Sequence, residues 1–163
     1  MSVELFRVDD RLIHGPVVVG WGQPLKIDFI SLVDDEVAAS EWEQELYRVA
    51  VPDRIALYFD TAESAVRRLP DYLADTRRGL VVTGSVETMR ALVEGSGRVE
   101  HVNVGGLHHR PGRTERLRYV FLSPDEDRTL REIAASGADV TAQDVPSATP
   151  VALATLLAGG RAA

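Results

Sequence analysis

The chain has no cysteine, which excludes a disulfide framework and thiolate chemistry and leaves any zinc site to histidine and carboxylates alone. Lysine is nearly absent too: Lys26 stands alone against seventeen arginines. The longest apolar runs, such as "LVVT" and "ALATLLA", fall far short of the roughly 20 residues a bilayer span requires. The N-terminus lacks the basic stretch and apolar core of a secretion signal. Positive charge is in deficit, and a net charge of -7 argues against nucleic-acid binding, which needs a basic surface to neutralise phosphates. These absences fit a cytoplasmic protein that neither spans a membrane nor binds nucleic acid. The rest is average: 163 residues, 45% hydrophobic and 26% charged, the size and composition of one globular domain over residues 1–163. Only the final "AGGRAA" is expected to fray.

Apolar, β-rich runs alternate with helical patterns along the chain. "VELFRV", "KIDFISLV", "RIALYF", "GLVVT", "VEHVNVGG", "LRYVFL" and "DVTAQDV" read as strands. A short helix is expected over residues 16–22, and "EVAASEWEQELYRVA" reads as a helix with Val37, Trp42, Leu46 and Val49 on its apolar side. A helix from Ala62 to about Leu73 follows, then one capped by Ser85 and stopped at Gly95, then one opening at Ser123-Pro124, and an apolar C-terminal helix. The alternation predicts an α/β fold: a three-layer, open, mainly parallel sheet with helices on both faces. Such sheets hold ligands beyond the carboxyl ends of their strands. The stretch "RVDDRLIHGPVVVGWG" lies at the end of the first strand.

Within it, Gly15 permits a tight turn or close backbone approach to a ligand, and Pro16 suits a first helical position. The amides of Val17 and Val18 are then expected to be unpaired at a helix N-terminus, where an anion is stabilised. The His14 imidazole is a competent nucleophile toward phosphorus, and Arg11 offers a planar fork for phosphoryl oxygens. A lone histidine at such a junction more often caps or packs, so residue types alone leave both readings open.

"RVDDRLIHGPVVVGW" resembles the active-site segment of the IIB components of the mannose/sorbose family of the bacterial phosphotransferase system. "LVDDEVAASEWEQELYRVAVP", "VNVGGLHHRPGR" and "VTAQDVPSATPV" resemble further segments of that family, in the same order. The resemblance implies a phosphohistidine carrier that accepts a phosphoryl group from a IIA component and passes it to a sugar held by membrane IIC and IID components. It implies phosphorylation of His14 at Nδ1, a phosphate-contacting Arg11, a loop-ordering Asp10, and phosphate binding by Gly15, Val17 and Val18. It implies no cofactor, because the donor is already a high-energy phosphohistidine. Asp35, Gly105, Gly106 and His108 are expected around the loop, with Asp35 read most plainly as a helix N-cap. The family usually has glutamine after His-Gly; here the residue is Pro16.

Two other readings keep the α/β fold: a non-transporting regulatory phosphoacceptor, and a receiver-like domain with acids at strand ends. For the latter, Asp9, Asp10, Asp34 and Asp35 form the acidic edge, and Asp60 and Thr83 end the third and fourth strands. A receiver also needs a lysine after the fifth strand, where this chain has "NVGGLHHR". No metal site is expected, since neighbouring His108 and His109 point to opposite faces of an extended segment. His101 reads as solvent-facing or satisfied. Arg110, Arg113, Arg116 and Arg118 form a basic cluster, either a partner-docking patch or a solvated connection. Trp21 and Trp42 both read as core residues.

Overall fold

The structure is a computed structural model that describes residues 2–159; the tail expected to fray lies mostly outside them. The sheet is built from β1 (Val3–Val8), β2 (Phe29–Val33), β3 (Ala56–Asp60), β4 (Gly79–Thr83), β5 (His101–Val104), β8 (Asp139–Ala142) and β9 (Val151–Ala152). Their order is β3-β2-β4-β1-β5-β8-β9. All adjacent pairs are parallel except β8–β9, which is antiparallel.

Helices cover both faces, as the alternation predicts. On one face lie α3 (Ala62–Ala74), α4 (Val86–Ser96) and α5 (Pro124–Ala135), whose Leu69, Met89 and Leu130 share a core cluster with Phe6, Val8 and Val81. On the other, a short helix over Pro16–Gly22 and α1 (Asp35–Ala38) bring Val17, Trp21 and Val37 against Leu5, Ile30, Leu32 and Val82. Alternate residues of each central strand thus feed two separate cores, the pattern of a sheet buried on both sides. Two further helices, α2 (Glu41–Ala50) and α6 (Leu153–Leu157), complete the set.

Four local expectations are corrected. The stretch read as one helix from Glu36 is two, α1 and α2, broken at Ser40, whose hydroxyl caps α2 by accepting from the Glu43 amide. Trp42 is not a core residue but 67% exposed. Gly95 does not stop α4; the left-handed residue there is Gly97, at φ 64°. A Cβ on Gly95 would meet Val66 Cγ2 at 2.9 Å, so this glycine lets α4 lie close to α3. "LRYVFL" is no single strand of the main sheet. Its two ends belong to β6 (Thr114–Leu117) and β7 (Val120–Leu122), an antiparallel hairpin that turns at Arg118-Tyr119.

Chain order places one position above all others. From β1 the chain moves outward to β2 and β3, returns through β4 beside β1, and only then crosses to β5 on β1's far side. The loops after β1 and β5 therefore diverge over the junction of two neighbouring strands, the crevice where open α/β sheets bind ligands.

Candidate functional site at the end of the first strand

Strand alternation sends Arg7 and Asp9 to the same face of β1, beneath the Pro16–Gly22 helix. Both are 1% exposed. A buried guanidinium and a buried carboxylate are tolerable only when paired and hydrogen-bonded, and these are. Arg7 Nη2 donates to Asp9 Oδ2 at 3.2 Å and to the Asp144 carbonyl at 3.2 Å. Arg7 Nη1 donates to Asn103 Oδ1 and to the Gln143 carbonyl. The guanidinium lies 5.0 Å from the centroid of Trp21, whose Nε1 donates to the same Asp144 carbonyl. Trp21, as expected, is a core residue, and its task is to roof this pair.

The second oxygen of Asp9 faces the loop. Oδ1 accepts the Arg11 amide at 3.1 Å and lies 3.2 Å from His14 Nε2. Burial pushes the Asp9 carboxyl up, but the His14 contact, the Arg7 charge and the Arg11 amide outweigh it, and the net shift is downward. Asp9 is thus an ionised carboxylate at neutral pH, and its Oδ1, 3.2 Å from Nε2 but outside hydrogen-bond geometry, favours the His14 tautomer with the proton on Nε2. Neither ring nitrogen has a hydrogen-bond partner among the described residues, so in that tautomer the Nδ1 lone pair is uncommitted. The side chain is 16% exposed, yet both ring nitrogens are covered, so the exposed part is carbon.

The backbone of the loop departs from the expectation. The amides of Val17 and Val18 are not free; both donate to the His14 carbonyl at 3.0 Å. They lie in a π-helix over Pro16–Gly22, a form common at functional sites, but their bonds span only three and four residues, so the chain already turns at His14. The amides of Ile13, His14 and Gly15 have no acceptor among the described residues. Leu12 sits at φ 57°, a left-handed conformation that non-glycine residues rarely adopt, and it bends the chain between Asp10 and His14. Gly15 is in right-handed conformation, so no tight turn demands it. A Cβ there would meet nothing within 4 Å, leaving open space beside His14. The Arg11 side chain is exposed and forms no hydrogen bond or ion pair among the described residues.

Asp10 orders the loop from the other side. Its oxygens accept from the His108 amide at 2.7 Å and His108 Nδ1 at 2.6 Å. Its own amide donates to the Gly106 carbonyl at 2.8 Å. Both glycines after β5 are small for a reason. A Cβ on Gly105 would fall inside the Arg7 guanidinium, and one on Gly106 would lie 3.1 Å from His108 Cε1 and 3.4 Å from Asp9 Oδ1. Gly105, Gly106 and His108 therefore gather at the loop as expected. Asp35 does not: its carboxylate accepts the Ala62 amide at 2.9 Å, and the N-cap of α1 is Asp34, which accepts from Val37.

The receiver reading falls away on contact with the geometry. Asp60, which a receiver would need open, is 1% exposed and accepts from Ser31, Ser64, Arg68 and Tyr72. The four acids of the supposed metal edge each serve a different local partner. Arg113 makes a two-pronged pair with Glu126 at 2.8 and 2.7 Å, Arg116 pairs with Asp127 at 2.7 Å, and Arg118 lies 3.4 Å from Asp144. Arg113 and Arg116 therefore hold the β6–β7 hairpin to its surroundings and offer no free charge, while Arg118 stays 86% exposed at the surface. His101 is surface-exposed beside Asp139, and His109 leans on the Phe121 ring.

The ion pairs predict acid lability. Glu126, like Asp9, is pushed up by burial but held below the usual carboxylate range overall, by the Arg113 bonds and the Ser123 amide. Groups with lowered native pKa values stabilise the fold above their unfolded values of about 4 and lose that contribution as pH falls through the native ones. The midpoint of urea unfolding should therefore fall steadily below pH 4, with a shallower fall in Arg113→Met. A flat profile from pH 5 to about 3 would contradict this assignment.

Residues 3–162 fit the family described as "PTS system sorbose subfamily IIB component". The chain is 30% identical to the N-acetylgalactosamine-specific phosphotransferase enzyme IIB component 1 of Escherichia coli over 146 residues, 89% of this chain and 92% of that one. It is 34% identical to the mannose-specific EIIAB component of Escherichia coli over 147 residues, 89% of this chain but 45% of that longer protein. The crystal structure of the IIBSor domain of the sorbose permease from Klebsiella pneumoniae superposes with a TM-score of 0.87 at 25% identity, covering 99% of both chains. With its fold and nearly its whole length in agreement, the chain belongs to the sorbose subfamily of phosphotransferase-system IIB components.

Proposed function

We propose that the protein is a phosphoryl carrier, taking a phosphoryl group on His14 Nδ1 from the phosphohistidine of a IIA component. It then delivers the group to a sugar bound by membrane IIC and IID components, working at the cytoplasmic face of the membrane. The observation that carries this reading is the Asp9–His14 pairing at 3.2 Å beside an uncommitted Arg11 guanidinium. An acceptor imidazole needs a lone pair on one nitrogen and a proton held on the other, and Asp9 provides for both.

In the transfer, the Nδ1 lone pair attacks phosphorus while the donor's P–N bond breaks and its electrons return to the donor ring. Neither nucleotide nor metal takes part. Positioning and electrostatic support do the catalysis: Arg11 and the free amides of Ile13, His14 and Gly15 face the phosphoryl oxygens. Because Nδ1 is covered in the resting loop, the donor is received only after the segment between Asp10 and Gly15 opens. Sugar choice lies with the membrane components; the relatives named for N-acetylgalactosamine, mannose and sorbose set the chemical class.

Incubation with phosphoenolpyruvate, the general phosphotransferase proteins and a mannose-family IIA tests the reading. The label should be acid-labile, alkali-stable and mapped to His14; an acid-stable label, or none, overturns it. Arg11→Ala should slow labelling by about two orders of magnitude, the loss of roughly 3 kcal/mol of charge support. An unchanged rate would remove Arg11 from the site.

A further inference from the structure

Helix α2 faces the wrong way for an ordinary amphipathic helix. Its inner side is polar and aromatic: Gln44 Nε2 donates to the Val37 and Ala38 carbonyls, Arg48 lies 5.2 Å from the Phe59 ring centroid, and Tyr47 packs against the second core cluster. Its apolar side, Trp42, Leu46 and Val49, is 67%, 54% and 86% exposed. Spacings of four and three residues align these side chains in one stripe, and no residue of α2 is buried. Single exposed apolar residues are unremarkable; a continuous stripe with an indole at one end marks an interface.

We propose that this stripe binds a second copy of the chain, α2 against α2, antiparallel across a two-fold axis at Leu46. The charges beside the stripe choose this occupant. Glu41, Glu45 and Arg48 share one flank, and Arg48 pairs with Glu45 within its own helix at 2.7 Å. With a rise of about 1.5 Å per residue, Arg48 lies ~3 Å beyond the axis. On the same side of the axis, the second copy's Glu45 and Glu41 fall at ~1.5 and ~7.5 Å. Each arginine, held between Phe59 and Glu45 of its own chain, therefore lies level with the gap between two carboxylates of the other helix. At the same time Val49, at ~4.5 Å, meets the second copy's Trp42, at ~6 Å. A parallel pairing would instead set this flank against the opposite one, which carries Glu43, and bring acid against acid. The antiparallel surface is self-complementary in both shape and charge, the requirement of an isologous dimer. One helix and its flanks bury less than the ~1,200 Å² of a standard interface, so the dimer is reversible, with a dissociation constant on the order of 10 μM.

Sedimentation velocity on the intact chain, from about 1 to 200 μM so as to bracket that constant, tests the proposal. Wild type should pass from monomer to dimer over this range. Leu46→Asp should remain monomeric throughout, with unchanged circular dichroism, because the side chain it replaces is largely exposed. Arg48→Glu should weaken the dimer about tenfold, the loss of one to two ion pairs. The charge exchange Glu41→Arg, Glu45→Arg, Arg48→Glu should restore it. A wild type that is monomeric at every concentration overturns the proposal, as does a dimer that survives Leu46→Asp. A monomeric wild type whose Leu46→Asp variant is labelled more slowly by IIA also overturns it, and assigns the stripe to the phosphoryl donor. Assembly is read without any phosphoryl transfer, so the proposal and the carrier reading can fail separately.

Discussion

His14→Ala should abolish labelling of the chain from a phosphorylated IIA, while His108→Ala and His109→Ala remain labelled. The contrast is sharp because the chain's other three histidines lack what His14 has. His101 stands at the surface at the opposite end of β5, its Nδ1 3.1 Å from Asp139. His109 is spent on Phe121. His108 is near the loop, but its Nδ1 is committed to Asp10 at 2.6 Å, so it supports the loop without offering that nitrogen to phosphorus. The loss in His14→Ala is complete, because no other group can hold the phosphoryl intermediate. Thermal unfolding should barely change, since the ring is partly exposed and leaves at most a small cavity. Labelled His14→Ala would move the acceptor elsewhere, and a collapsed fold would make His14 a structural residue.

The second large effect concerns stability. Arg7→Met removes the cation from a pocket where Asp9 is 1% exposed and leaves that carboxylate buried without its charge partner. Breaking a buried pair from one side costs about 3–5 kcal/mol, a melting-temperature drop of roughly 10 °C for a chain of this size. The Asn103 side chain and the Gln143 carbonyl lose this donor in the same step, while the Asp144 carbonyl keeps only that of Trp21. Arg7→Met/Asp9→Leu should recover much of the loss, since replacing both ions with apolar groups of similar volume is near neutral. Because Asp9 also orients His14, the double variant should regain stability without regaining phosphoryl acceptance. If Arg7→Met melts within a degree or two of wild type, the pair is not what holds β1 to β5 and the segment after β8.

The layers, the strand order's consequence and the position of His14 were legible because each depends on local rules. Apolar runs of strand length, caps such as Ser85 and Ser123, and Pro124 at a first helical position are read from neighbours in sequence. Trp42 was misread because periodicity locates an apolar stripe without saying which way it points, and α2 is anchored by Gln44, Tyr47 and Arg48 instead. The Val17 and Val18 amides are not legible because Pro16 signals a helix start at residue 16, whereas the chain already turns at His14, whose carbonyl takes both amides. Asp9 and Arg7 were missed as partners of His14, yet a signal was present. A strand flanked by parallel neighbours is covered on both faces, so Arg and Asp two residues apart within it must be buried together and must answer each other.

One bond spans the chain in a way that the local rules cannot see. Arg7 grips the carbonyls of Gln143 and Asp144, 136 and 137 positions downstream. The cradle under the His14 ring is therefore finished only when residues 143 and 144 join a strand that precedes them by more than a hundred positions. Until they do, a folding chain has its histidine but not the clasp beneath it, and remains unarmed however much of the sheet has already formed.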